Sequence, residues 1–142
     1  MEQLRIVDDN FVLRKEFKKL RLVHLTYEEN IQSIKINGFR TGEGLFGKGL
    51  YVCDLDNEES IESLINFSRD LIEEECDEIV VIEGIYEGMY ERCINTNEYF
   101  EYAKGFILIK NTKNIEIEKI SVIQQIDLKG YLSRRFLTTL HT

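Results

Sequence analysis

His24 and Tyr51 are the two side chains of this sequence whose setting could turn them to chemistry. His24 lies in LRLVHLT, an alternating stretch rich in Leu and Val, so it sits in a strand directly ahead of a helix start. Tyr51 leaves the glycine-rich run TGEGLFGKG and enters a second strand. The chemistry open to the pair is hydrogen bonding by an imidazole and stacking by a phenol ring, with glycines allowing the backbone to come close. A strand histidine is most often a satisfied core residue and a strand tyrosine most often packing. Here each stands beside a helix start or a glycine turn, which shifts the balance toward a site. Metal chemistry has little support: Cys53, Cys76 and Cys93 form no CxxC pair, and the histidines are His24 and His141 alone. The cysteines read as small buried hydrophobes.

The elements that position these residues follow from local pattern. Residues 10–20 read as a short helix marked by Phe11, Phe17 and Leu20, and residues 20–26 as a strand. Thr26-Tyr27-Glu28-Glu29 matches a capping box, with the Thr26 hydroxyl accepting from the Glu29 amide. Ile31 and Ile34 continue that helix, and Gly38 is placed to end it in a left-handed conformation. Residues 41–49 read as a loop or tight turn and residues 49–53 as the strand leaving it. Asp56-Asn57-Glu58-Glu59 offers a second cap for an amphipathic helix with Ile61, Leu64, Ile65 and Leu71, running to about Glu75. Strands follow at residues 78–86, 106–110 and 115–123. Residues 131–140 put Leu132, Phe136 and Leu140 on one face of a short docking helix. The order implies an α+β fold.

At 142 residues the chain suits one domain, residues 1–142. Hydrophobic residues make up 43%, enough for a core, and proline is absent, so turns fall to Gly, Asn, Asp and Ser. The formal charge is -8, which argues against binding nucleic acid by phosphate neutralisation. The acid is concentrated: residues 54–91 hold 14 acidic side chains against Arg69 alone, a net of -13, and the rest of the chain nets +5. A solvated helix face is the favoured reading, and a patch that docks a basic partner the functional one. No apolar run approaches the roughly 20 residues of a membrane span, and nothing resembles a signal peptide, so the chain reads as soluble and cytoplasmic.

His24-Leu25-Thr26, a helix ending at Gly38-Phe39, and then Phe46-Gly47-Lys48-Gly49-Leu50-Tyr51-Val52-Cys53 together resemble the ADP-ribosyltransferase superfamily. The similarity is greatest to the branch of the poly(ADP-ribose) polymerases, whose core reads H-G-T/S, helix, F-G-K-G-I-Y-F-A. It spans residues 20–123. The resemblance implies a split β-sandwich with flanking helices, its two sheets forming a crevice for NAD. It further implies that the His24 ring hydrogen-bonds a ribose hydroxyl, that the Leu25 backbone pairs with the nicotinamide carboxamide, and that Tyr51 stacks on the nicotinamide ring. Gly47 and Gly49 would allow close approach, Lys48 and Arg40 would attend the pyrophosphate, and Phe67 would supply a second aromatic wall. Thr26 and Phe46 complete the cofactor-binding set.

The family's catalytic glutamate opens a late strand, and that slot aligns here with Gly105. Glu101 is the first substitute and Glu98 the second; both could equally be ordinary solvated carboxylates. The resemblance thus implies a small mono-ADP-ribosyltransferase acting on a macromolecule; the Lys-, Ile-, Asn- and Glu-rich, proline-free composition suits a bacterial or phage source, and the acid block suits a protein target with a basic surface. The alternative is an inactive module on the same fold, for example a phage anti-defence protein acting through its acidic surface. An RNA 2′-phosphotransferase is disfavoured by the acid block, and a plain packed domain with a chance motif stays open.

Overall fold

Alternating apolar side chains in consecutive strands make the centre of this molecule a sheet buried on both faces. The structure, a computed structural model, describes residues 3–71 and 77–140. In chain order the elements are β1 (Leu4–Val7), β2 (Phe11–Glu16), β3 (Leu20–Thr26), α1 (Ile31–Asn37), β4 (Gly42–Gly44), β5 (Gly47–Asp54), α2 (Glu58–Leu71), β6 (Glu78–Tyr86), β7 (Tyr90–Thr96), β8 (Ile107–Ile109), β9 (Ile115–Gln124) and α3 (Leu128–Leu140). The fold is α+β. Its antiparallel sheet of nine strands runs β1-β2-β7-β8-β5-β3-β6-β9, with β4 attached to β5.

Period-two burial sorts the strand residues into two cores. Val23, Leu25, Cys53, Leu55, Val81 and Leu108 belong to one, which α2 and α3 complete through Ile61, Leu64, Leu128 and Leu132. Leu20, Leu22, Leu50, Val52, Ile82 and Ile107 belong to the other, with Ile34 of α1 and Phe39 just beyond it. Full burial of a Leu or Ile side chain contributes about 1.5–3 kcal/mol, so these cores carry the fold. Cys53 and Cys93 are buried, and burial pushes their thiols up to about 12 and about 11, leaving them unreactive. Cys76 lies outside the described residues.

Several local expectations are met. Gly38 (φ 76) ends α1 and donates to the Ile34 carbonyl at 2.9 Å. Asn57 Oδ1 accepts from the Ser60 amide at 2.9 Å as the α2 cap, although residues 72–76, where that helix was expected to finish, lie outside the described residues. Leu132 is fully buried and Phe136 packs beside it, as a docking helix requires; the Leu140 side chain is outside the described residues.

Others are corrected. Residues 10–20 form no helix: Phe11 and Leu13 alternate into the core from strand β2, and Phe17, just past the strand's end, is 72% exposed. Asp8 and Asp9, both at positive φ, make the tight turn from β1 that such a hairpin needs. The capping box is not made either. A 3₁₀ turn at Glu28–Asn30 follows β3 without a side-chain cap, and the Thr26 hydroxyl instead accepts from Asn30 Nδ2 at 3.0 Å. Residues 41–49 include a strand, β4, and β7 joins the late strands at residues 90–96.

The acid block, too, is more than a solvated face. Asp54 and Glu16 flank Arg92 at 2.7 and 3.1 Å, Glu91 holds Arg5 at 2.8 Å, and Glu83 takes Arg135 at 2.9 Å and the Tyr131 hydroxyl at 2.8 Å. Asp54, Glu83 and Glu91 all come from the block and are all buried, so part of its charge is spent inside the molecule, tying α3 and β1 to the sheet. Burial alone would push the Glu16 carboxyl up, but hydrogen bonds and charge from Arg14 and Arg92 outweigh it and hold the group below its ordinary 4.5. A carboxylate depressed on folding stabilises above its unfolded pKa and loses that contribution as pH falls through its folded one. Urea midpoints should therefore drop as pH is lowered from 5 toward 3, and Glu16→Gln should lessen that drop; an equal drop in the variant would contradict this role.

Candidate functional site

Strand β5 changes partners along its length. Leu50, Tyr51 and Val52 pair with Ile109, Leu108 and Ile107 of β8, whereas Cys53 and Asp54 pair with Val23 and Leu22 of β3. From His24 to Thr26, β3 continues its ladder with β6 but no longer pairs with β5. The two strands therefore part at His24, and the imidazole spans the fork: Nδ1 lies 2.8 Å from the Tyr51 carbonyl oxygen. A carbonyl only accepts, so Nδ1 carries the hydrogen. Burial pushes the His24 pKa below its ordinary 6.5 despite the opposing effect of that bond, so the ring is neutral and Nε2 keeps a bare lone pair. Among the described residues Nε2 has no partner, and the Phe39 ring meets the imidazole edge-on at 5.5 Å.

Tyr51 is fixed from its other end. Its hydroxyl donates to the Gly47 carbonyl at 2.6 Å and accepts from the Phe46 amide at 2.8 Å, which fastens the turn between β4 and β5. Arg5, paired with Glu91, adds a 2.8 Å bond to the Phe46 carbonyl. The tyrosine ring lies against Gly44, where a Cβ would come within 2.5 Å of it, so glycine is required there. With the hydroxyl committed, the ring face is what Tyr51 offers a ligand.

Around this pair the cleft has two lobes. The more polar lobe, of about 450 Å³, is lined by Thr26, Asn30, Ser33 and Arg40 together with Ile34, Phe39 and Leu50. An apolar lobe of about 280 Å³ is lined by Leu25, Leu45, Leu64, Phe67 and Phe106. His24, Glu43 and Tyr51 line both. Cavities of a few hundred Å³, mostly apolar with a few placed polar groups, are the usual form of a small-molecule site. The structure thus brings His24, Leu25, Thr26, Arg40, Tyr51 and Phe67 to one cleft.

It does not bring the remaining sequence candidates there in the same way. Glu98 and Glu101 are exposed on the 3₁₀ segment Glu98–Ala103, beyond β7, and line neither lobe. Phe46 is a core residue, 1% exposed and edge-on to Phe11 at 5.1 Å, because the hairpin turn folds it inward. Gly47 (φ 103) and the exposed Lys48 belong to the hairpin outside the lobes. Gly49 lines the polar lobe, but its lack of a side chain serves sheet packing: a Cβ would overlap the Leu108 side chain and lie 2.9 Å from the Ile109 carbonyl.

At Gly105, the position that the sequence resemblance aligns with a glutamate, no side chain fits. Its φ is 96°, a Cβ would lie 2.8 Å from Ser60 Cα at the start of α2, and its carbonyl takes the Ser60 hydroxyl at 2.7 Å. Lining residues that the sequence does not mark as site residues include Asn30, Ser33, Glu43 and Phe106. The Glu43 signal was present in the mirrored triplets GEG and GKG, which pair in register as Gly42↔Gly49, Glu43↔Lys48 and Gly44↔Gly47. Among the described residues no three His, Cys, Asp or Glu side chains group as a metal would need, and no helix is long and apolar enough to cross a membrane.

Comparison with known proteins finds no family model, no curated protein and no solved structure that matches the chain. The site therefore stands on its own geometry: an antiparallel α+β protein with a two-lobed cleft at a strand fork.

Removing the Tyr51 hydroxyl isolates the contribution of the hairpin fastening. Tyr51→Phe should lower unfolding stability by about 1–2 kcal/mol, the worth of one to two hydrogen bonds, as read from urea denaturation. An unchanged midpoint would show that the hydroxyl fastens nothing.

Proposed function

We propose that the cleft binds NAD and that the protein transfers a single ADP-ribosyl group from it to a macromolecular acceptor, a protein with a basic surface. The observation that carries this reading is His24 at the strand fork, its Nδ1 hydrogen given to the Tyr51 carbonyl and its ring kept neutral by burial, in a residue that with Tyr51 lines both lobes. On this reading Nε2 accepts a hydrogen bond from a ribose hydroxyl and the Leu25 backbone holds the carboxamide. Tyr51 and Phe67 flank the flat nicotinamide in the apolar lobe, where Leu45, Leu64 and Phe106 exclude water. Arg40, Thr26 and Ser33 of the polar lobe suit the diphosphate end. NAD supplies a ribosyl carbon already activated by its pyridinium leaving group. The runs of sheet on either side of the fork then correspond to the two halves of a split sandwich, and the setting is the cytoplasm of a bacterial or phage-infected cell.

A second reading has an observation of its own. With Gly105 closed to any side chain and Glu98 and Glu101 outside the cleft, the same site could hold NAD without turning it over. The protein would then act as a binding module, through exposed acids such as Glu58, Glu59 and Glu62 on α2.

Calorimetry with NAD and label transfer from NAD into a lysate separate these. Transfer is expected from the wild type, with His24→Ala weakening NAD binding about 5–10-fold, the worth of one buried hydrogen bond. Transfer that survives both His24→Ala and Tyr51→Ala would contradict the site. Saturable NAD binding with no nicotinamide released favours the binding module.

A further inference from the structure

Asp54, Glu16, Glu83 and Glu91 are the carboxylates that burial would make most potent, and each is already held in an ion pair. Glu43 is different. It is the carboxylate that lines the cleft, it lines both lobes, and it shares that position with His24 and Tyr51. Among the described residues no hydrogen bond or ion pair holds its side chain. Its neighbours on β4 are Gly42 and Gly44, which carry no side chains to crowd it, and Lys48 stands opposite it in the hairpin register. Its charge is felt at the Tyr51 hydroxyl, where it works with burial to push that group up.

We infer that Glu43, presented by the β4–β5 hairpin, is the catalytic carboxylate of this cleft, replacing the strand-borne glutamate that Gly105 excludes. The inference rests on the reading of the cleft as an NAD site and names the residue that reading lacked. As the ribosyl C1′–nitrogen bond breaks, its electron pair stays on the nicotinamide nitrogen, whose ring becomes neutral. The acceptor's nucleophilic atom forms the new bond to C1′ with its own lone pair, and its proton passes to the Glu43 carboxylate and on to solvent. The negative charge of Glu43 also opposes the positive charge that develops at C1′ between the two events, an electrostatic role. Mounting the group on a hairpin held by Tyr51, Arg5 and Glu91 places it over the cleft without burying it.

Glu43→Gln keeps size and polarity while removing the charge and the proton acceptor. With full-length protein, NAD binding is read by calorimetry and turnover by nicotinamide release and label transfer, after a thermal melt confirms that the variant folds. The expected result is NAD affinity within about threefold of wild type and a kcat lower by about 100-fold or more, the usual scale for losing one group that acts in the transition state. A Glu43→Gln protein that turns over NAD at the wild-type rate overturns the inference and leaves the NAD reading intact. Wild type that binds NAD but releases no nicotinamide overturns the catalytic role and leaves binding intact. Wild type that does not bind NAD overturns both.

Discussion

The hydrogen bond from His24 Nδ1 to the Tyr51 carbonyl stands where β3 and β5 part, and the cleft exists because the strands part there. Two strands that stop pairing leave backbone groups facing each other without partners, and an unmet buried carbonyl costs about 1–3 kcal/mol. The imidazole meets that need with a side chain in place of a strand, which keeps the fork open. The same bond fixes the tautomer. With the hydrogen held on Nδ1 and burial disfavouring the cation, Nε2 is left as the ring's acceptor, on a residue that lines both lobes.

Everything that fastens Tyr51 therefore also shapes the site. Its hydroxyl closes the hairpin turn through Phe46 and Gly47, and Arg5, held by Glu91, reaches the same turn from β1. Glycines at 44 and 49 let the hairpin lie on the tyrosine ring and on β8. Much of the molecule is the frame that holds one imidazole, one ring and the hairpin that carries Glu43. The buried ion pairs belong to that frame. Breaking such a pair costs more than making it gains, so Arg92 and Arg135 serve as geometric ties for β2, β5 and α3 more than as sources of stability.

The strands around His24 and Tyr51 were legible because LRLVHLT and GLYVC alternate and end at glycine or helix signals, and the two helices that complete the first core announced themselves by periodic apolar residues. Residues 10–20 misled because FVLRKEF allows both an alternating and a helical reading. Tertiary pairing with β7, itself hidden behind the charged YERC, settled it as a strand. The acid block misled for a related reason, since the net charge of a segment does not say which carboxylates turn inward to meet an arginine far along the chain, as Glu91 meets Arg5. In the site, the aligned motif found His24, Leu25, Thr26, Arg40, Tyr51 and Phe67 but not Glu43. The glycine-rich run reads as a loop or tight turn, and it is the strand register within it that puts Glu43 on the cleft.

The most direct measurement is a long-range proton–nitrogen correlation spectrum of the His24 imidazole, recorded near pH 7 with and without NAD. The Nδ1–H tautomer with a bare Nε2, whose resonance moves upfield as NAD saturates the cleft, is the predicted result. A charged ring, the opposite tautomer, or an Nε2 resonance indifferent to saturating NAD would contradict the account.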